Sequence, residues 1–596
     1  MHPYRRRALI LAAAAVVSIS AVVAASPADA GESSYPDLAA AYDNTGILPD
    51  AAPRAAGLDG SGRALPAQAL ARAGWDRGDQ VRLNGITFAW PAGAPGRPDN
   101  TIAAGQRISL TGAGRALAFL AAATNPAGSP FTGTGTVTYT DGSGQTYALT
   151  VPDWRSHGTG AALTLPYVSG PTGPEYGSTP RLFVREIPLQ PGKRLRSVTL
   201  PGPSAGPGAL HVFALGVRPE SGAWRGTWST AQHTGYPVAD RADMTVRMPV
   251  RTTVAGSKAR IRLTNAFSLS PVRFGAATVA LRGAGAALVP GTAHVVTFDG
   301  RPEVTIPAGG EMVSDPVEMT VPAQSDLVVS LYLAGKLTHV SQHGLGLQTV
   351  YWTAPGAGDR SRDIDGASFS TVASSWPFLS GVDVTAERGA HWSVAVLGDS
   401  ITDGTGSTPD ANRRWTDHLA TRLDGRAGVL NVGITGNRLT GGSVGNEAAL
   451  ERLDRDVLSQ AGVRTVILFA GVNDVRAGAS DEEVTEALTE LAARARAAGV
   501  RVVGGTVIPF RGWMDGRPGG WTPEKESVRL LINAFVRDSG GVFDAVADFD
   551  AALRDPAQPD RYNPLLDSGD HLHPNDAGMV VLADAVDPET LGLSRR

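Results

Sequence analysis

The chain has 596 residues, a formal net charge of −4 and no cysteine, which excludes disulfide staples, thiol chemistry and cysteine-bound metals and leaves no basic field for nucleic acid. Its 72 glycines and 41 prolines make up about 19% of the residues against a usual roughly 12%. With abundant Thr and Val in the first two-thirds, this favours turn-rich β domains over disorder, and the length suggests about three or four domains.

Arg5, Arg6 and Arg7 precede an apolar run over residues 8–25 and a small-x-small site at Ala28-Asp-Ala30. Together they read as a cleaved export signal over residues 1–30, by the Sec or the twin-arginine route. A membrane anchor is the competing reading, but the run is short and Ala-rich and charged sequence follows it. Nothing else approaches the roughly 20 apolar residues that cross a bilayer. The mature protein is therefore expected to be secreted and extracellular, without stable membrane insertion.

Residues 31–218 read as an N-terminal β-sandwich accessory domain. Alternating runs over 135–151 meet at Asp141-Gly142, a hairpin turn, and 210–217 is a closing strand; the only helical patch lies near 67–73. Trp75, Trp90 and Trp154 have two readings, a sugar-stacking platform or buried core, and core is the commoner fate of such residues in a sandwich. A polar joint, Arg218 to Gly222, leads into a second β-sandwich, jelly-roll-like, over 219–390. Strands are expected there at 260–263, 277–281, 294–298 and 327–333.

From 391 to 596 the pattern changes to alternating strands and helices. Strands are expected at 394–398, 429–433, 464–470, 501–508 and 542–548, and helices near 414–423, 446–460, 480–498, 523–538 and 575–585. Ser480 to Glu483 is a capping box and Gly499 a helix stop. This alternation predicts an α/β three-layer domain with a mostly parallel sheet, whose chemistry gathers at the C-terminal strand ends.

Four segments fall at those ends: Gly398-Asp-Ser400, Asn431 to Asn437, Gly471-Val-Asn473-Asp474, and Asp570-x-x-His573. Each alone has an ordinary reading as a strand-ending turn, a loop or a helix cap. Their order and context resemble the SGNH hydrolases, also called the GDSL esterase and lipase family, over about 391–588. The resemblance implies Ser400 as nucleophile, His573 as general base and then acid, and Asp570 as the carboxylate that orients it. It also implies an oxyanion hole made by the Ser400 and Gly436 backbone N–H groups and the Asn473 amide. Ile401 stands where the family's name has Leu, outside the reacting groups.

Three other features compete with these residues. His571 is a second candidate base, but Asp570 is adjacent to it and badly placed to orient it. Gly441 to Gly445 matches the G-x-S-x-G elbow around Ser443, yet lies in a glycine-rich loop beyond the strand. His571 and His573 have no third ligand cluster, so neither a metal nor a cofactor is expected. Trp513 and Trp521, in the loop after the fourth strand, either line an acyl or sugar pocket as substrate-binding residues or pack a lid.

Gly226 to Gln232 with Arg262 to Phe267 resembles the β-sandwich ahead of the hydrolase domain in secreted actinobacterial enzymes of this kind. The layout is also similar to the jelly-roll plus SGNH arrangement of some carbohydrate acetyl esterases, and the first region to accessory sandwiches of exported glycan-active proteins. The family resemblance implies a secreted serine hydrolase cleaving carboxylic esters, an esterase or lipase working through an acyl-enzyme. Its substrate is a small-molecule or polymeric ester, with acylated glycans and lipids as candidates. A carbohydrate O-acetyl esterase is the alternative within this chemistry. A carbohydrate-binding or attachment protein on an inactive scaffold is the alternative outside it, and the intact set of blocks speaks against that.

Overall fold

The computed structural model describes residues 33–593 apart from 51–56, 126, 157–159, 205, 207, 387–391 and 443–445. The expected export signal and Ser443 lie outside the described residues. No helix among the described residues is long and apolar enough to cross a membrane.

Residues before 390 are mostly strand. In the first region two five-stranded sheets enclose a core of Phe119, Val137, Tyr139, Phe183 and Val212. The central strand Ala116–Thr124 is buried along its whole length. Its second face is covered by the helix Ala67–Arg72, the hairpin Gln80–Leu83 with Ile86–Ala89, and three tryptophans. Trp75, Trp90 and Trp154 are 2%, 3% and 0% exposed, so the core reading is the right one and no platform is built from them. The second region places a five-stranded sheet against a seven-stranded one over Val246, Ile261, Phe274, Val329 and Val382.

The C-terminal region forms one parallel sheet of five strands: β1 (Trp392–Gly398), β2 (Ala427–Gly433), β3 (Val463–Phe469), β4 (Arg501–Gly505) and β5 (Ala545–Ala547). Their spatial order is β2-β1-β3-β4-β5. Helices α1 (Ser400–Asp403), α2 (Trp415–Leu423), α3 (Ala449–Leu453), α4 (Val472–Ala477), α5 (Asp481–Ala497), α6 (Pro523–Arg537), α7 (Phe549–Leu553) and α8 (Asp576–Asp584) connect and cover it. α2 packs on α8, and α5 on α6. The order reverses at β1, so β1 and β3 flank the crevice where such sheets bind ligands.

Two expectations need correction. The strand expected at 501–508 stops at Gly505, because Val507 gives its N–H to Asn533 Oδ1 and its carbonyl to Asn533 Nδ2 and Arg529. The helix expected at 446–460 is α3 followed by a π turn, Asp454–Leu458. Three short helices, α1, α4 and α7, have too few residues to show a period.

The register aligns the strand ends, with Gly398 beside both Gly433 and Phe469. Beneath them lies Arg452, fully buried. Its guanidinium donates to Gly398 O at 3.0 Å, Val432 O at 2.7 Å and Asn437 Oδ1 at 2.9 and 3.0 Å, and pairs with Asp456 at 3.2 Å. The second sandwich docks against β2. Gly226 donates its N–H to Ala461 O at 2.9 Å and accepts from Ser393 Oγ at 3.1 Å, while Val429 donates to Thr253 Oγ1. Gly428 lies so close that any Cβ would strike the Gly226 carbonyl.

Arg452→Met removes the guanidinium donors from this knot, leaving Asp456 to Arg455 and Asn437 Oδ1 without its donor. It is expected to destabilise the domain by about 1–3 kcal/mol, read as a lower melting temperature in calorimetry. A change below about 1 kcal/mol would show that the strand ends hold without the guanidinium.

Candidate active site

β1 ends at Gly398, where a side chain would collide with Thr402 Oγ1 and the Phe469 carbonyl. The chain turns there directly into α1. Asp399 Oδ1 accepts the Ile401 N–H at 3.0 Å and so caps the helix, which leaves Ser400 as its first residue with an N–H that no intrahelical carbonyl can take. Ser400 is 4% exposed, and its Oγ lies 2.8 Å from His573 Nε2.

His573 sits just before α8, whose N-terminus is capped by Asn575 through the Ala577 and Gly578 N–H groups. Asp570 folds the turn leading to it by accepting the Leu572 N–H at 2.9 Å and the His573 N–H at 2.8 Å. Its other oxygen is 2.6 Å from His573 Nδ1. Partial burial works against a charge on Asp570, but these donors and the His573 ring outweigh it and hold the carboxyl down at about 2. The three side chains thus form one hydroxyl, imidazole and carboxylate chain.

His571 is placed elsewhere. Its ring pairs with Asp567 at 2.6 Å and its side chain is 48% exposed.

Gly436, at φ +75°, lies in the turn after β2. Asn473 is the second residue of α4, beyond β3, and is 7% exposed. Its Nδ2 donates to Asn437 O at 3.0 Å, and its Oδ1 accepts from Arg476 Nη1 at 2.6 Å. An arginine can only donate and a carbonyl only accept, so the amide orientation is determined and its second N–H is left over. Asp474 holds the two loops together, both of its oxygens accepting the Leu439 N–H at 3.0 Å. Burial pushes Asp399 and Asp474 up to about 6.

The Trp513 ring stands edge-on to His573 at 5.7 Å, with the Arg476 guanidinium 5.0 Å over its centre. Trp521 lies one layer out. Arg511 covers its ring, and its N–H donates to the Trp513 carbonyl at 3.2 Å. Arg476 was not singled out from the sequence, and its only local signal is a position one turn beyond Asn473.

Residues 396–581 match the model of the GDSL-like lipase/acylhydrolase family, and residues 33–167 match that of the AziU2-like beta-sandwich domain. No curated protein matches the chain. Similar solved structures include a GDSL-like lipase from Bacteroides thetaiotaomicron, at 17% identity over 34% of this chain and 88% of that one, TM-score 0.27. A carbohydrate acetylesterase family member from Sinorhizobium meliloti is similar at 15% identity over 34% and 100%, TM-score 0.29. A member of the lipolytic protein G-D-S-L family from Veillonella parvula is similar at 18% identity over 32% and 94%, TM-score 0.25. The segment 396–581 is thus recognised as a GDSL-like lipase/acylhydrolase domain, which supports ester hydrolase activity at the level of that family.

Proposed function

We propose that this protein is an exported serine esterase whose nucleophile is Ser400, with His573 and Asp570 as its base and orienting carboxylate. The observation that carries the reading is the continuous chain from Ser400 Oγ to His573 Nε2 at 2.8 Å and from His573 Nδ1 to Asp570 at 2.6 Å. His573 takes the Ser400 proton as the oxygen attacks the ester carbonyl. The tetrahedral oxyanion receives the N–H groups of Ser400 and Gly436 and the spare N–H of Asn473. His573 then passes its proton to the departing alcohol, and water, deprotonated by the same imidazole, releases the acid from the acyl-enzyme. Export rests on residues 1–30. Trp513, at the edge of His573, forms one wall of the acyl or alcohol space, with Trp521 behind it.

Ser400→Ala is expected to lower hydrolysis of p-nitrophenyl acetate to near the uncatalysed rate with the fold intact by circular dichroism; activity close to that of the native chain would sink the assignment. Asn473→Ala should cost about 10²- to 10³-fold in kcat with little change in KM, and a loss under about threefold would remove the amide from the oxyanion hole.

The carboxyl of Asp570 lies below its ordinary value, so its support for the imidazolium is complete above about pH 4 and is lost only as the pH falls toward 2. Activity lost between pH 5 and 7 therefore does not come from this group. Asp570→Asn keeps an acceptor for the turn but no negative charge at Nδ1, and should lower kcat on the order of 10⁴-fold at all pH values from 5 to 9. An unchanged rate at pH 8 would show that the carboxylate is dispensable.

A further inference from the structure

A histidine of the second β-sandwich reaches the end of α1. His343 ends the strand Leu337–His343 and is 2% exposed. Its Nδ1 lies 2.8 Å from the Ala231 carbonyl, and its Nε2 lies 3.0 Å from Asp403 Oδ1 and 3.1 Å from the Leu345 carbonyl. All three neighbours are acceptors, whereas a neutral imidazole carries one N–H. An imidazolium, with an N–H on each nitrogen, satisfies them together. Burial opposes that charge, but the Asp403 carboxylate and the two carbonyls outweigh it and raise the group above its ordinary value. The rings of His233 and Trp376 stand 5.6 and 5.9 Å away.

Asp403 is the last residue of α1, the helix that Ser400 begins. Its Oδ2 accepts the Thr435 N–H at 3.0 Å and the Thr435 hydroxyl at 2.8 Å, and Thr435 immediately precedes Gly436. One carboxylate therefore joins the two segments that carry the backbone donors of the oxyanion hole, and a residue from another domain clamps it. A buried ion pair is a poor device for stability alone, because desolvation consumes most of its attraction. A fixed geometry is what it supplies here.

We propose that His343 is a positioning residue through which the second β-sandwich, acting on Asp403 and Thr435, sets the spacing between the Ser400 and Gly436 N–H groups. This rests on Ser400 being the nucleophile of the reading above. The domain thereby completes the active site without touching the substrate.

The test uses the full chain with His343→Gln, Asp403→Asn, the double variant and Thr435→Val, assayed on p-nitrophenyl acetate. Active serines are titrated to completion with a fluorophosphonate, so that misfolded molecules drop out of the rate. His343→Gln and Asp403→Asn should each lower kcat per titrated serine by about ten- to a hundredfold with KM unchanged, below the loss for a deleted donor. The double variant should be no slower than Asp403→Asn. Thr435 is exposed, so Thr435→Val should fold and lose about threefold or more in kcat.

A full rate per titrated serine in His343→Gln would overturn the proposal, even where fewer molecules titrate. If the buried variants do not fold, Thr435→Val decides, and a native rate there overturns it. Ser400→Ala separates the two levels. Retained activity in that variant removes the esterase reading itself, whereas an inactive Ser400→Ala beside a fully active His343→Gln removes only the role of the histidine.

Discussion

A parallel sheet ends with a row of carbonyls that has no further strand to meet, and at that edge this protein buries a guanidinium. Arg452 reaches the last carbonyl of β1, the penultimate carbonyl of β2 and the side chain of Asn437 from one position. No other side chain carries five donors in a rigid planar fork, so none could hold two strands and a loop at once. The consequences run outward in order. Asn437, held by Arg452, offers its carbonyl to Asn473; Asn473, held on its other side by Arg476, is left with one N–H to give. The direction of that N–H is decided below the surface of the site.

The same logic separates three aspartates that look alike in sequence. Asp399 and Asp474 are buried behind backbone N–H groups, and burial dominates, so both sit at about 6. Asp570 is less buried and has two N–H donors and an imidazole, and its carboxyl is held at about 2. Only the last is held below its ordinary value, and it is the one hydrogen-bonded to a histidine. The other two are structural acceptors that cap α1 and fasten the loop after β2.

Much of this was legible before any coordinates. The alternation after 391 located all five strands and the four longest helices, α2, α5, α6 and α8, within a few residues, because each has a period and punctuation of its own. The turn at Ser400 and the Asp570 to His573 spacing were legible for a similar reason, since their geometry is local. What escaped was contact between segments distant in the chain. Arg452 did leave a trace: Ala449, Arg452, Leu453, Asp456 and Val457 share one helical face, and an oppositely charged pair four residues apart on an apolar stripe implies burial with partners. Arg476 left only its place one turn beyond Asn473, and His343 left none, since its partner is fixed by the docking of another domain.

That docking limits what the β regions can do. The backbone of Gly226 touches Gly428 without space for a Cβ, and Ser393 and Thr253 bridge the same seam. A joint this close leaves no gap for a hinge, so the second sandwich cannot swing over the site as a lid. The three tryptophans that offered a sugar platform are spent in the core of the first region. What the second sandwich does present toward the catalytic sheet is His343, buried against Asp403 where α1 and the loop after β2 converge. On the proposal made for His343, a domain fixed in this way acts on the reaction through the shape of the site, and that effect falls on the rate of the chemical step.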